Sequence, residues 1–531
     1  MTAHSDVIII GSGPAGVSAA WPLVESGVQV LLFDAGTGAF DDSAVSRPDL
    51  SALRSGNFPQ RQDFLGKEYS TLRQNNGVSP KLRTMPPDGY GEEYLAANTL
   101  QTENFRMIGA LGTAGLSAVW GGAVAAFDAN EMAKYPVPYD DMKRSYGIVA
   151  ERIGLSGSTN DDLGAYLGEY LPVQPALPLS PAVERLYAAY GRFGGFPDLT
   201  MGRARNAVLS RDHNGARACS LNGGCMWGCP TGAVYSSYRD LEALRRFPNF
   251  KNVNGRIITK IDRADHGIRI EAKSRNGAET SIYESGSVVL AAGTLASSRL
   301  VAQALKLQNQ TTRLLTTPGI AFVLLQPSWL GRAMPQSFYG MAQLCFRHAL
   351  SSRSGDELFG LIYDAAGVSA VDVMASMPLS RPSAVALTKA LQPAMLICLA
   401  FFPGEYSSNV INLNTNEHGE TEMKIKGGNR AGFDLAIREA VRQLRKRFLK
   451  LGALILPGSL TVLEPGADSH YGGAFPMGER IGADGEVTEM PGLYVADGTV
   501  LNALPAKNLT FTIMANADRI GRNLSRKLKN A

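Results

Sequence analysis

Cysteine is scarce in this chain of 531 residues: five are present, too few for a disulfide scaffold in so long a protein. Long apolar runs are missing as well. No stretch reaches eighteen apolar residues without a charge, and the richest, PAMLICLAFFP at 393–403, has the length of a buried strand; a membrane-spanning helix is excluded and a soluble chain expected. The opening MTAHSDVIII has no basic segment ahead of an apolar one and leads directly into a glycine fingerprint, so no cleavable signal is expected. The cytoplasm is then the default location, with export on a signal-bearing partner as the alternative. No internal repeat or low-complexity tract is found, which sets aside solenoids. Charge of one sign is not in large excess either. The net value is +4, and the basic run RQLRKRFLK at 442–450 falls in a helical pattern, where it reads as a solvated helix face; nothing points to nucleic acid.

What is present is apolar material and glycine. With 45% hydrophobic and 19% charged residues the chain can bury a large core in two lobes, and its 57 glycines gather in short motifs suited to close approach of backbone and ligand. The first motif is G-S-G-P-A-G, carrying Gly11, Gly13 and Gly16, directly after an apolar strand and ahead of a helical stretch. Asp34 closes the next strand. In a dinucleotide fold Gly11 allows the tight turn, Gly13 lets a pyrophosphate touch backbone at a helix N-terminus, Gly16 lets helix and strand approach, and Asp34 can accept from a ribose hydroxyl. SVVLAAGTLASSRLV at 287–301 reads as a further buried strand, small-residue turn and helix. Residues 175–215 read as helical and irregular, and 315–430 as mostly strands separated by turns, an antiparallel sheet on the substrate side of a cleft.

Three of the five cysteines, Cys219, Cys225 and Cys229, crowd into CSLNGGCMWGC, followed by Pro230. Thiolates this close in a glycine-rich loop can converge on one centre, and loops closing on Cys-Pro are a feature of iron-sulfur sites; three ligands suit a three-iron cluster. Free or disulfide-linked thiols remain open, as does zinc with His213 as a fourth ligand. Cys345 and Cys398 stand alone in apolar stretches and read as core.

Taken together, the fingerprint, the patch GTAGLSAVWGGA (112–123), AAGTLASSRL and two late segments resemble, in order, the glucose-methanol-choline (GMC) oxidoreductase family over nearly the whole chain. The stretch YPVPYDDMKRSYGIVAERIGLSG (135–157) is similar to a helix of its bacterial sugar and polyol dehydrogenases. The resemblance implies an α/β chain with a Rossmann-like FAD-binding domain in three parts, 1–174, 251–310 and 463–531. The Cys-rich insertion spans 175–250, and an α+β substrate domain on an antiparallel sheet spans 311–462. It places Trp120, Gly121, Gly122, Ala292, Gly293, Asp497, Gly498 and Thr510 with the fingerprint residues against FAD. It makes His470, in H-Y-G-G-A-F-P-M-G with Ala474 where the family has Thr, and Asn508, followed by Leu509 where Pro is usual, the catalytic pair. The remaining histidines, His4, His213, His266, His348 and His418, carry no signature.

The chemistry asks for such a pair. A carbinol carbon gives up hydride to a flavin more readily as its hydroxyl loses a proton, which an imidazole can accept, while an amide can hold the oxygen without competing for that proton. The Cys-Pro segment is similar to one that ligates a [3Fe-4S] cluster in the catalytic subunits of bacterial FAD glucose dehydrogenases. This implies a dehydrogenase of a sugar, glycoside or polyol, with electrons leaving to a cytochrome or quinone, through a small companion subunit where one exists. An oxygen-using oxidase, a lyase with flavin as structure only, and a non-enzymatic flavin-binding assembly subunit are the other readings.

Overall fold

The computed structural model describes residues 5–38, 81–82, 87–350, 356–368, 374, 379–415, 417 and 420–530; His4 and His418 lie outside them. The fingerprint strand Val7–Ile10 is followed by the helix Pro14–Glu25 and the strand Val30–Phe33. All eight strand residues are buried, as expected of short Val/Ile/Leu runs covered on both faces. They lie in a five-stranded parallel sheet in the order Leu493–Val495, Ser287–Leu290, Val7–Ile10, Val30–Phe33, Phe250–Val253. Both ends of the chain therefore contribute to one sheet. Connections leave Val7–Ile10 and Ser287–Leu290 in opposite directions, so their C-terminal ends open a crevice where ligands of such sheets bind.

A second sheet faces this crevice. Its order is Leu454–Ile455, Gly319–Leu325, Met395–Phe401, Glu357–Asp364, Leu344–Ala349, Leu199–Arg203, with antiparallel pairing throughout. Ile320, Phe322, Leu324, Leu396, Cys398 and Ala400 point to one face and share a core with Ala440, Leu444 and Phe448 of the helix Phe433–Lys450. The basic run of that helix lies on its other, exposed face, as its pattern predicts. The mixed α/β architecture matches the expected fold class.

Two elements depart from the sequence reading. Arg381–Leu391, inside the expected strand region, is a helix: Pro382 occupies its first turn and the Ser380 hydroxyl accepts from the Ser383 N–H at 3.4 Å. Leu199–Arg203, inside the segment read as helical and irregular, is an edge strand of this second sheet. LTMGR has weak strand character by itself and is ordered by pairing with Leu344–His348. The chain closes in the helix Thr510–Asn530, which packs on Pro14–Glu25 and on Tyr139–Ile153. Among the described residues no helix is long and apolar enough to cross a membrane.

Candidate active site

At the C-terminal ends of the parallel strands lies a cavity of about 950 Å³. Gly11 turns the chain at φ +106°, and a Cβ there would stand 2.4 Å from the Ala291 carbonyl oxygen; a Cβ on Gly16 would stand 1.8 Å from the oxygen of Gly11. These two glycines serve turn and packing. Gly13 differs: a Cβ there would meet no protein atom within 4 Å, yet the residue lines the cavity at the start of the first helix. The open space above Gly13 is where a pyrophosphate would take up the helix N-terminus.

Asp34 accepts from Ser12 N–H at 2.9 Å and Gly36 N–H at 2.7 Å, bracing the fingerprint turn, and it also lines the cavity. Burial pushes its carboxyl up, partly opposed by the Ser12 hydrogen bonds. The Trp-Gly-Gly patch is tied to the same turn: Ala114 N–H donates to the Ser12 hydroxyl at 2.8 Å, and the Trp120 indole N–H to the Tyr235 carbonyl at 2.6 Å. Across the sheet Asp497 accepts from Gly293 N–H at 2.9 Å, the Ser297 hydroxyl at 2.5 Å and Thr499 N–H at 3.0 Å, clamping two chain segments 204 positions apart. Gly11, Gly13, Asp34, Trp120, Gly121, Gly122, Ala292, Gly293, Asp497, Gly498 and Thr510 all line this cavity. Gly16 does not; it packs beneath.

His470 and Asn508 line the cavity between the two sheets, with Asn508 Nδ2 at 3.5 Å from His470 Nε2. Ser469, at φ +62°, turns the backbone into the histidine, a conformation a non-glycine residue holds only where its surroundings impose it. The Phe401 ring sits 4.9 Å from the imidazole, centroid to centroid. On its far side the imidazole Nδ1 lies 2.6 Å from the Thr317 hydroxyl, which lies 3.1 Å from Asp468 Oδ2; that oxygen also accepts the Thr317 N–H at 2.7 Å. Oδ2 is thus the acceptor for both Thr317 donors. The hydroxyl then has lone pairs left for an Nδ1–H, and this network assigns the imidazole the tautomer that leaves Nε2 unprotonated beside Asn508. Burial pulls the imidazole down to about 4 and pushes the Asp468 carboxyl up to about 7.

Asn508 Oδ1 is buried with no hydrogen-bond partner among the described residues, an orphan that a substrate hydroxyl would satisfy. The backbone before it is anchored by Lys507, fully buried, whose ammonium donates to the Ala126 and Tyr166 carbonyls at 3.0 and 2.7 Å and to Glu131 at 2.8 Å. Thr317, Asp468, Phe401 and Lys507 are absent from the sequence reading. Asp468, two positions before His470, carried a signal in proximity; Thr317, 153 positions away, carried none.

Residues 9–41 match a family described as NAD(P)-binding Rossmann-like domain. Among curated proteins, a C-glycoside 3-oxidase of Arthrobacter globiformis is 33% identical over 102 residues, 18% of this chain and 20% of that protein. The fructose dehydrogenase large subunit of Gluconobacter japonicus is 24% identical over 247 residues, 44% of this chain and 42% of that protein. The matches thus span less than half the length of either relative. Over the whole fold, a formate oxidase of Aspergillus oryzae superposes with a TM-score of 0.64 at 13% identity, covering 100% of both chains. A pyridoxine 4-oxidase of Mesorbium loti gives 0.61 at 14%, covering 99% of this chain and 100% of that one. The whole chain thus shares the fold of these two oxidases.

The three clustered cysteines share an apolar pocket with Trp227, Phe338 and Tyr339, next to the cavity-lining Met226 and Met341. Each sulfur meets a backbone amide: Leu221 N–H to Cys219 at 3.4 Å, Val234 N–H to Cys229 at 3.5 Å, and Gly340 to Cys225. Burial pushes the Cys219 and Cys225 thiols up to about 11 and about 12, so both are protonated at neutral pH. Among the described residues no three or more His, Cys, Asp or Glu side chains are disposed to hold a metal ion. Cys219, Cys225 and Cys229 are thus neighbours in one pocket. His213, the candidate fourth ligand for zinc, bonds the Glu151 carbonyl through Nε2 at 2.6 Å.

Proposed function

We propose that this chain is an FAD-dependent oxidoreductase acting on a CH–OH group of a sugar, glycoside or polyol. The observation that carries the reading is the placement of His470 Nε2 and the unpartnered Asn508 Oδ1 in the same cavity as the fingerprint turn. The donor set suits FAD: open space at a helix N-terminus above Gly13, Asp34 at the end of the second strand, and Gly293 held by the Asp497 carboxylate alongside. FAD, when bound, supplies the acceptor for the hydride leaving the carbinol carbon.

The protein does the rest. Asn508 holds the substrate oxygen by donating from its Nδ2 amide, and His470 Nε2 takes the hydroxyl proton as the C–H bond breaks, which leaves a carbonyl product. Thr317, itself held by Asp468, keeps the proton of the neutral imidazole on Nδ1 and accepts from that nitrogen as positive charge develops on the ring. The sheet wall over the pair, from Leu361 to Leu399 and Phe401, excludes water and strengthens these contacts. Anaerobic titration of the flavin-loaded protein with sugars and polyols tests this: bleaching of flavin absorbance is expected, and its absence with every alcohol would overturn the reading.

The finer reading, a dehydrogenase carrying a [3Fe-4S] cluster on Cys219, Cys225 and Cys229, with a cytochrome or quinone as acceptor and a small companion subunit, is supported by the shared pocket and its amide donors. The large-subunit name of the Gluconobacter relative supports the companion. The oxidase reading is supported by the name of the Arthrobacter relative. No step above depends on the choice. Iron and acid-labile sulfide at about three and four per chain support the cluster; flavin without iron that reoxidises rapidly in air supports the oxidase.

A further inference from the structure

Antiparallel sheets that pack one face on a core commonly turn a polar face to water. The substrate-side sheet does not. While Ile320, Leu396 and their partners pack against the helix Phe433–Lys450, the opposite face brings Ala321, Leu361, Tyr363, Ile397, Leu399 and Phe401 to the cavity wall. Ala321, Tyr363, Ile397 and Leu399 are only half-buried. Their uncovered surface is apolar surface lining the cavity. Among the described residues this wall carries no charged side chain, and the Tyr363 hydroxyl and Thr461 are the polar groups it offers beside the His470–Asn508 pair.

A free hexose or an open-chain polyol presents a hydroxyl on nearly every carbon, and each one brought against this wall would give up water with nothing to replace it. A substrate with one reacting hydroxyl and an apolar flank loses nothing there and gains burial. We infer that the substrate is a secondary alcohol flanked by an aryl or alkyl group that lies on this wall, an aryl glycoside in preference to the free sugar. The inference rests on the alcohol-oxidation reading and adds to it the chemistry of the neighbouring group.

The test uses the flavin-loaded protein, anaerobic, with phenyl glucoside and glucose as probes. Expected is a kcat/KM for flavin bleaching on the order of 10- to 100-fold higher for phenyl glucoside, the scale of one buried apolar group. In Leu399→Gln and Ile397→Thr the ratio narrows. Calorimetry on the His470→Ala protein, which binds without turnover, is expected to give phenyl glucoside at least about tenfold tighter binding than glucose. Bleaching by both probes at kcat/KM values within about threefold, together with equal binding, overturns the inference and leaves alcohol oxidation standing. Bleaching by neither probe, nor by any other alcohol, overturns the underlying reading and the inference with it.

Discussion

Replacing Thr317 by Val isolates the contact behind the imidazole. The side chain keeps nearly the same shape, and the backbone N–H that Asp468 accepts at 2.7 Å is untouched; what disappears is the hydroxyl 2.6 Å from His470 Nδ1. The Nδ1–H is then left without a partner in a buried site, at a cost of about 1–3 kcal/mol. That cost grows on the step that matters, because the ring gains positive charge as Nε2 takes the substrate proton. If it falls wholly on that step, each 1.36 kcal/mol being tenfold, flavin reduction slows by roughly 5- to 150-fold. The assay is anaerobic stopped-flow bleaching at saturating alcohol, with flavin occupancy matched. Thr317→Ser returns a hydroxyl and should restore most of the rate. A Val variant within about twofold of the parent, or a Ser variant as slow as Val, would refute the idea that Thr317 acts through the imidazole.

Other consequences can be checked in parallel. Because burial holds His470 near 4, the rate of flavin reduction should stay level through neutral pH and fall only as pH drops through about 4; an acid limb near 6.5 would mean the ring is less enclosed than described. Asp468 is raised to about 7, so its contribution to stability is present below its unfolded value of 3.8 and is lost as pH rises through about 7. Asp468→Asn should therefore gain in melting temperature relative to the parent between pH 4 and 7, and a constant difference would count against it. Gly11→Ala and Gly13→Ala should part company: the first meets the Ala291 carbonyl and destabilises the apoprotein, whereas the second leaves apoprotein melting unchanged and abolishes flavin retention. Lys507→Met strands a buried Glu131 and should cost about 3–5 kcal/mol by denaturant titration, most of it recovered by adding Glu131→Gln.

Much of the dinucleotide-fingerprint end was legible without coordinates, because its requirements are local. A glycine turn between strand and helix, an acid at the end of the next strand and a small-residue turn ahead of a second helix are set by what a backbone must do to approach a pyrophosphate. Gly11, Gly13, Asp34 and Gly293 accordingly stand where spacing put them. The flanking motifs singled out His470 and Asn508, which the fold brings into one cavity. The strand Leu199–Arg203 was not, since its partner Leu344–His348 lies far along the chain and supplies the order that LTMGR lacks.

Three matters were decided only in three dimensions. The relay behind His470 joins residues 153 positions apart, so no window of sequence contains it. The apolar wall follows from the side of the sheet that the helix Phe433–Lys450 covers. Alternation along a strand divides its residues into two faces but does not say which face meets a core and which meets a cavity. In the cysteine segment, spacing brought three sulfurs within reach of one another. Tertiary packing then buried them unequally in one apolar pocket with Trp227, Phe338 and Tyr339, an environment that spacing alone does not set.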